Sequence, residues 1–343
     1  MRDQHALLSD SVKAWIVNGK GAPKDVLQCV DRDPPTPGPG TLRIRVLVAG
    51  LSLPEVLMCR GSYPYKPALP FTPGHEAVGI VLDPGDVPGF AIGQRVMGVT
   101  NFPGGHGGHA EEALLLGSAT SVVPEAMSDE EAAAFTIGYQ TAYVGLVLRA
   151  GLRAGETLLV HGAAGGTGFP AVQLGKALGA RVIALARGAE KAARCHADGA
   201  DHVVDTAACP GGDWRPAVNQ AAGAARVDVV FDPVGGDVLR RSLDCLAYGG
   251  RLVAIGFASG AWGEVPTWEL VSRNASLVGA LALVPDEETG RTMTRTLSEL
   301  YERGLLAPRV TKVHPFTDVP VALAEIDERR AVGKHVVRVA YVP

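Results

Sequence analysis

The sequence predicts an α/β protein: a doubly wound parallel sheet joined to a second, β-rich domain. Three observations carry that expectation. Between Thr157 and Lys191 the chain reads strand, glycine turn, helix, strand. Beyond Lys191, helical stretches and short apolar runs keep alternating as far as Val284. Before Pro124 the pattern is instead strands separated by prolines and glycines. Helices interleaved with short buried strands require a parallel sheet covered on both faces, whereas short strands linked by turns suit a small barrel.

A chain of 343 residues is comfortable for two domains. With 47% hydrophobic and 20% charged residues it has an ordinary globular composition. A net charge of -4 and the lack of any basic block give no reason to expect a nucleic-acid partner. The five cysteines are odd in number and contain no C-x-x-C, against both a disulfide framework and a thiolate zinc lobe. A reducing, cytoplasmic setting is expected. The first ten residues are polar and hold no apolar signal core. The most apolar stretch, 132–148, is interrupted by Gln140 and bounded by Glu131 and Arg149, so it reads as a buried helix and not a membrane span.

In chain order, residues 12–17 open the β-rich part, 34–40 form a stiff Pro/Gly connection, and 41–49 alternate as a half-buried strand does. Strands are also expected at 77–82 and 95–99. Ser128 followed by Glu131 has the form of a capping box, so a helix should begin there and run to 148. The strand 157–160, the turn 162–168, a helix at 170–178 stopped by Gly179 and the strand 182–185 come next. Then follow a helix at 192–197, strands at 202–204 and 227–231, a helix at 238–246, and strands at 251–255 and 277–284. The tail holds an amphipathic helix at 289–303 and a strand-like end at 334–341. Too short to fold alone, it should return to the first domain, giving 1–124 with 285–343 as one domain and 125–284 as the other.

The glycine turn suggests chemistry. A pyrophosphate can rest on a helix N-terminus only where free N–H groups are reachable and no Cβ intervenes. Against the dinucleotide pattern G-x-G-x-x-G the residues are Ala163, Ala164, Gly165, Gly166, Thr167 and Gly168. The first glycine is thus an alanine; Gly165 still permits close approach, and Gly168 tight helix packing. An NAD site wants a carboxylate about 20 residues further on. Arg187 stands there, with Lys191 a helical turn beyond. A guanidinium suits a 2′-phosphate, so NADPH is expected; the plainer reading makes both residues solvated surface charges. Ligands of such sheets lie at the carboxyl ends of the strands. Asp232 and Val234 after one strand, and Gly256 and Phe257 after the next, are therefore placed against the cofactor. Gly235 and Gly236 fit that role and plain turn chemistry equally.

The segments Pro70 to Gly79 (PFTPGHEAVG), AAGGTG, DVVFDPVGG, YGGRLVAIGFASG and the closing GKHVV together resemble the medium-chain dehydrogenase/reductase superfamily, in its zinc-free quinone oxidoreductase branch. The resemblance covers nearly the whole chain. It implies a GroES-like substrate domain, a Rossmann domain, a nicotinamide cleft between them, and dimers paired edge to edge through residues 277–284.

Zinc-dependent members of that superfamily carry two thiolates and a histidine where this chain has Ser52, Ile137 and His75. One imidazole cannot hold zinc, so no metal is expected there and His75 reads as a structural histidine. His106 and His109 lie among glycines, which argues for a loop without a complete ligand set. Without a Lewis acid, the accessible reaction is hydride delivery to an electron-poor acceptor, a quinone or a conjugated carbonyl. The resemblance also places Ser52, Thr141 and Lys334 at the cofactor and offers Tyr63 as a proton donor. A packing role for Tyr63 stands beside that one. The usual Asn and Asp of the segment before Tyr63 are here Ser52 and Glu55. Two other functions remain on the page: a 2-enoyl thioester reductase, and a non-enzymatic, crystallin-like NADPH-binding protein.

Overall fold

The computed structural model describes residues 11–284 and 286–339. Its contacts divide the chain into two compact units, one of residues 1–136, 285–294 and 309–343, the other of 137–284 and 295–308.

In the first unit, β1 (Val12–Val17) pairs antiparallel with β2 (Leu27–Arg32) across the short helix α1 (Pro23–Val26). Strand β3 (Thr41–Leu51) is the hub, and its alternation is the expected one: Leu42, Ile44, Val46 and Val48 are buried while Arg43 and Arg45 are partly exposed. Helix α2 (Leu53–Cys59) follows, then β4 (Glu76–Asp83), β5 (Arg95–Thr100) and β6 (Glu112–Val122). Each of these strands pairs antiparallel with the one before it, and β6 returns to β3, so the four close into a barrel that removes their free edges.

Helix α3 (Asp129–Tyr143) starts on the expected capping box: the Glu131 N–H donates to Ser128 Oγ at 3.2 Å, and the Ser128 N–H to Glu131 Oε2 at 2.9 Å. It does not continue as one α-helix to 148. Residues Val144–Arg149 widen into a π-helical turn, where the Phe231 ring presses against the backbone of Gly145.

The second unit carries six parallel strands: β7 (Thr157–Val160), β8 (Arg181–Ala186), β9 (His202–Asp205), β10 (Val227–Asp232), β11 (Leu246–Ala254) and β12 (Ser276–Gly279). They lie in the order β12-β11-β10-β7-β8-β9, which puts the switch point between β7 and β10. Helices α4 (Gly168–Ala177), α5 (Ala189–Ala197), α6 (Arg215–Ala222), α7 (Asp237–Ser242) and α8 (Thr267–Arg273) make the crossovers. Leu158, Leu159, Val182, Ile183, Val229, Val230 and Leu252 are fully buried in the sheet, as strands covered on both faces should be.

Two expected elements differ. The helix expected at 238–246 is α-helical to Ser242 and continues as a 3-10 turn to Cys245, while β11 begins at Leu246, five residues early; a register shift between Val227 and Val229 of β10 absorbs the extra length. The strand expected at 277–284 ends at Gly279. The Ala280 N–H still reaches Ala254 O, and the chain then leaves the sheet.

Helix α9 (Glu287–Glu302) turns the buried stripe Met293, Leu297 and Leu300 inward. The chain then adds β13 (Val310–Pro315), helix α10 (Val319–Asp327) and β14 (Lys334–Arg338) to the first unit. Strand β14 pairs antiparallel with β3 and parallel with β13. The first ten residues and positions 340–341, expected to end the last strand, lie outside the described residues. Among the described residues no helix is long and apolar enough to cross a membrane.

Candidate functional site

Within the second unit, β7 runs into the glycine turn. Gly162 takes the left-handed conformation, φ +56°, that the first glycine of such a turn needs. The sequence pattern assigned that place to Ala163, one residue later, and Ala163 is buried against the sheet instead. Gly165 and Gly166 are exposed, and among the described residues the N–H groups of Gly166 and Thr167 make no hydrogen bond within the chain. They stand just before the first turn of α4, whose dipole favours an anion. At Gly168 a Cβ would lie 2.2 Å from Gly162 O, so only glycine lets α4 start this close to β7. The residues therefore fit a dinucleotide pyrophosphate: open N–H groups, a helix N-terminus, and no side chain between.

Two further loops meet this turn at the switch point. A Cβ on Gly162 would touch Val234 at 3.6 Å, which measures how near the loop after β10 comes. That loop is zipped to the one after β11: the Ala258 N–H donates to Pro233 O at 3.1 Å and the Ser259 N–H to Val234 O at 2.9 Å. Asp232, expected at the cofactor, turns its carboxylate into its own loop, accepting from the Val234 N–H at 2.8 Å and the Gly235 N–H at 3.2 Å. Burial pushes this carboxyl up to about 6 against the pull of those two N–H groups. Gly256 lies in the loop beside Pro233, and Phe257 stacks on Trp262 at 4.5 Å. Gly138 of α3, which the sequence analysis did not single out, backs against the Gly166 carbonyl with room for no Cβ. Thr141 follows it one turn later on the same face, its Oγ donating to Ile137 O at 2.6 Å.

Arg187 is the first residue past β8, and Lys191 sits in the opening turn of α5. Arg187 is exposed, and among the described residues no hydrogen bond or ion pair holds either cation. The neighbouring Arg194, by contrast, pairs with Glu190 at 3.4 Å. The loop itself is fixed, because the Gly188 N–H donates to Asp205 Oδ1 at 2.7 Å. The result is two unspent positive charges on a pinned turn at the strand end.

The first unit holds a buried polar cluster. Glu55 of α2 is 1% exposed and accepts from the His75 N–H at 2.9 Å, His75 Nδ1 at 2.9 Å and Ser52 Oγ at 2.5 Å. Burial alone would raise its carboxyl, but the His75 ring, the His109 ring and these hydrogen bonds hold it well below the usual carboxylate range. Ser52, expected at the cofactor, thus spends its hydroxyl on Glu55. Among the described residues His75 Nε2 has no hydrogen-bond partner. Its ring packs on Phe102 at 3.9 Å and meets the Tyr63 ring edge-on at 5.4 Å. His109 lies in a loop, as its glycines suggested, yet it is fully buried with Nε2 donating to Gly50 O at 3.1 Å. His106 is part of the same loop, bridged to Thr72 and Asn101.

Tyr63 is half-buried and lines a shallow pocket with Met58, Tyr65, Leu69 and Phe71. Burial first, then the Glu55 charge, push its phenol up to about 12, so it keeps its proton at neutral pH. Lys334, expected at the cofactor, is 4% exposed and gives its ammonium to Glu76 on β4. The fold thus provides a partner inside the first unit for a cation that the resemblance placed at the cofactor. Of the three positions that hold zinc in the metal-dependent relatives, His75 alone carries a ligand atom, Ser52 is engaged with Glu55 and Ile137 has none. This donor set does not fit a zinc ion.

Comparison with known proteins agrees with this architecture. Residues 38–132 match the alcohol dehydrogenase GroES-like domain family, and residues 166–299 match the zinc-binding dehydrogenase family. The chain belongs to the medium-chain dehydrogenase/reductase superfamily, with a GroES-like and a Rossmann domain. It is 35% identical over 301 residues to quinone oxidoreductase-like protein 2 of Bos taurus, covering 86% of this chain and 84% of that one. It is 32% identical over 333 residues to the synaptic vesicle membrane protein VAT-1 homolog of Mus musculus, covering 92% and 80%. Among solved structures, Escherichia coli quinone oxidoreductase complexed with NADPH superposes with a TM-score of 0.84 at 27% identity, covering 95% of this chain and all of that one. The protein is an oxidoreductase of this superfamily, and a nicotinamide cofactor is the group its glycine turn fits.

Proposed function

We propose that the protein is a zinc-independent reductase that uses NADPH to reduce a quinone or another conjugated carbonyl. The observation that carries this reading is the pair of unpaired cations, Arg187 and Lys191, on the turn after β8. A carboxylate at that place would repel a 2′-phosphate; a guanidinium binds one bidentately. The superposition on a quinone oxidoreductase complexed with NADPH supports the same choice.

When bound, the cofactor supplies the hydride. The chain's own groups bind, orient and protonate. Gly166 and Thr167 would offer N–H groups to the pyrophosphate, Gly138 lets α3 approach the glycine turn, and Thr141 would lie beside the nicotinamide. Tyr63 holds a proton at its phenol oxygen, from which it would protonate the oxyanion of the reduced product. With Ser52 and Ile137 at the thiolate positions, no metal polarises the acceptor, so the acceptor must already be electrophilic. Under this reading the protein works as a cytoplasmic dimer joined through edge strand β12, where Leu277 is 42% exposed.

The test is to follow NADPH absorbance with a panel of quinones, enones and enoyl thioesters after dialysis against a chelator. Turnover of quinones or enones without added metal is the expected result. Turnover that needs restored zinc, or that is confined to enoyl thioesters, would overturn the proposal.

A further inference from the structure

Three side chains converge in the returning segment of the first unit. His314 on β13 and His335 on β14 lie on the same face of the parallel pair, and Glu325 comes from α10 above them. His314 Nε2 and His335 Nδ1 stand 3.2 Å apart, and Glu325 Oε2 is 4.0 Å from His335 Nδ1. All three ligand atoms fall within 4.8 Å of one another, and among the described residues no other group of three ligating side chains is this close. Both imidazoles are buried, while the carboxylate is partly open to solvent.

We propose that His314, His335 and Glu325 form a binding site for a divalent first-row cation of the zinc type, separate from the reduction site. Around tetrahedral zinc, nitrogen ligands at about 2.0–2.1 Å stand about 3.3 Å apart. The two imidazole nitrogens already have that spacing, and the carboxylate oxygen, 4.0 Å from His335 Nδ1, needs to close by about 0.7 Å toward that ring. Two imidazoles and a carboxylate suit Zn²⁺ in softness, with solvent at the open fourth position.

Without the ion, two ring nitrogens can face each other at 3.2 Å only if one carries a proton between them. Binding moves that proton to the other nitrogen of the same ring, and both lone pairs then point at the metal; no net proton is released. One cation competes for the site: Lys312 Nζ donates to both oxygens of Glu325 at 2.8 and 2.9 Å. Lys312 is about half exposed, so its ammonium can swing into water as the metal enters. The metal would clip α10 to β13 and β14.

The experiment is equilibrium binding of Zn²⁺ to the full chain, with competition by a chelator of known affinity. One equivalent per chain should bind to the wild type, at least about tenfold more weakly to His314→Gln and Glu325→Gln, and more tightly to Lys312→Met. Anomalous scattering at the zinc edge from wild-type crystals soaked in Zn²⁺ should place the ion among the three side chains, a result that does not depend on any variant folding. Failure of the wild type to bind zinc, an ion located elsewhere, or affinity unchanged in His314→Gln would overturn the assignment.

Discussion

Glu55 accepts both the backbone N–H and the ring Nδ1–H of His75, each at 2.9 Å, in a site where the carboxylate is 1% exposed. A buried charge with three donors loses its compensation when a partner is removed. Glu55→Ala should therefore lower the unfolding free energy by about 3–5 kcal/mol, measured by urea denaturation, and Glu55→Gln by less. Because the folded carboxyl is held below its ordinary value, this stability is present at neutral pH and is lost as pH falls below the usual carboxylate range. The gap between wild type and Glu55→Ala should narrow in acid. A gap that is constant with pH would contradict the charge pairing.

Gly168 permits the close start of α4 over Gly162. The added methyl of Gly168→Ala, 2.2 Å from Gly162 O, forces the helix to shift. The variant should lose about 1–3 kcal/mol of stability and bind dinucleotide more weakly, read by urea titration and by cofactor fluorescence. Unchanged dinucleotide affinity in a folded Gly168→Ala variant would separate this turn from cofactor binding.

His161, at the end of β7, donates through Nε2 to Ser242 Oγ at 2.8 Å and packs on Trp214. Burial pushes its ring down to about 3. A depressed histidine binds fewer protons folded than unfolded below its ordinary value, so stability falls as pH drops from about 6.5 toward 3, by up to about 5 kcal/mol. Asp232 acts in the opposite sense. Its carboxyl, raised to about 6, makes the folded state the better proton binder between about 4 and 6, so that term gains stability as pH falls. Urea midpoints between pH 7 and 4 should fall more steeply in Asp232→Asn than in wild type, and less steeply in His161→Gln. Identical slopes in all three would contradict both assignments.

Tyr63→Phe keeps the ring against His75 and removes only the phenol oxygen. If the phenol is the proton donor, steady-state turnover of an enone should drop at least about tenfold, a conservative share of what a positioned acid contributes, while the dissociation constant for NADPH stays the same. An unchanged rate would reduce Tyr63 to a wall of the pocket.

The parts of the fold written in local sequence were legible in it. Strand β7, the glycine turn, α4 and β8 follow from periodicity and glycine spacing, and Ser128 with Glu131 forms the capping box their spacing announced. The parts set by distant partners were not. Lys334 finds Glu76 258 residues away, which no local pattern encodes, and Ser52 is claimed by Glu55 once α2 has formed. His109 looked like loop chemistry because of its glycines, yet the same glycines let the loop bury it against Gly50. The turn glycine was misplaced by one residue because the pattern counts letters, whereas the left-handed φ falls on Gly162. Strands β2, β6 and β13 escaped because their pairing, and not their composition, makes them strands.

The central claim is that the positive charge after β8 selects the phosphorylated cofactor, and the measurement that tests it most directly is the affinity of wild type and Arg187→Asp for NADPH and NADH under the same salt. Wild type should prefer NADPH, and the variant should lose at least about tenfold in NADPH affinity, some 1.4 kcal/mol, with NADH binding little changed. Equal losses for both cofactors, or a wild type that prefers NADH, would contradict the account.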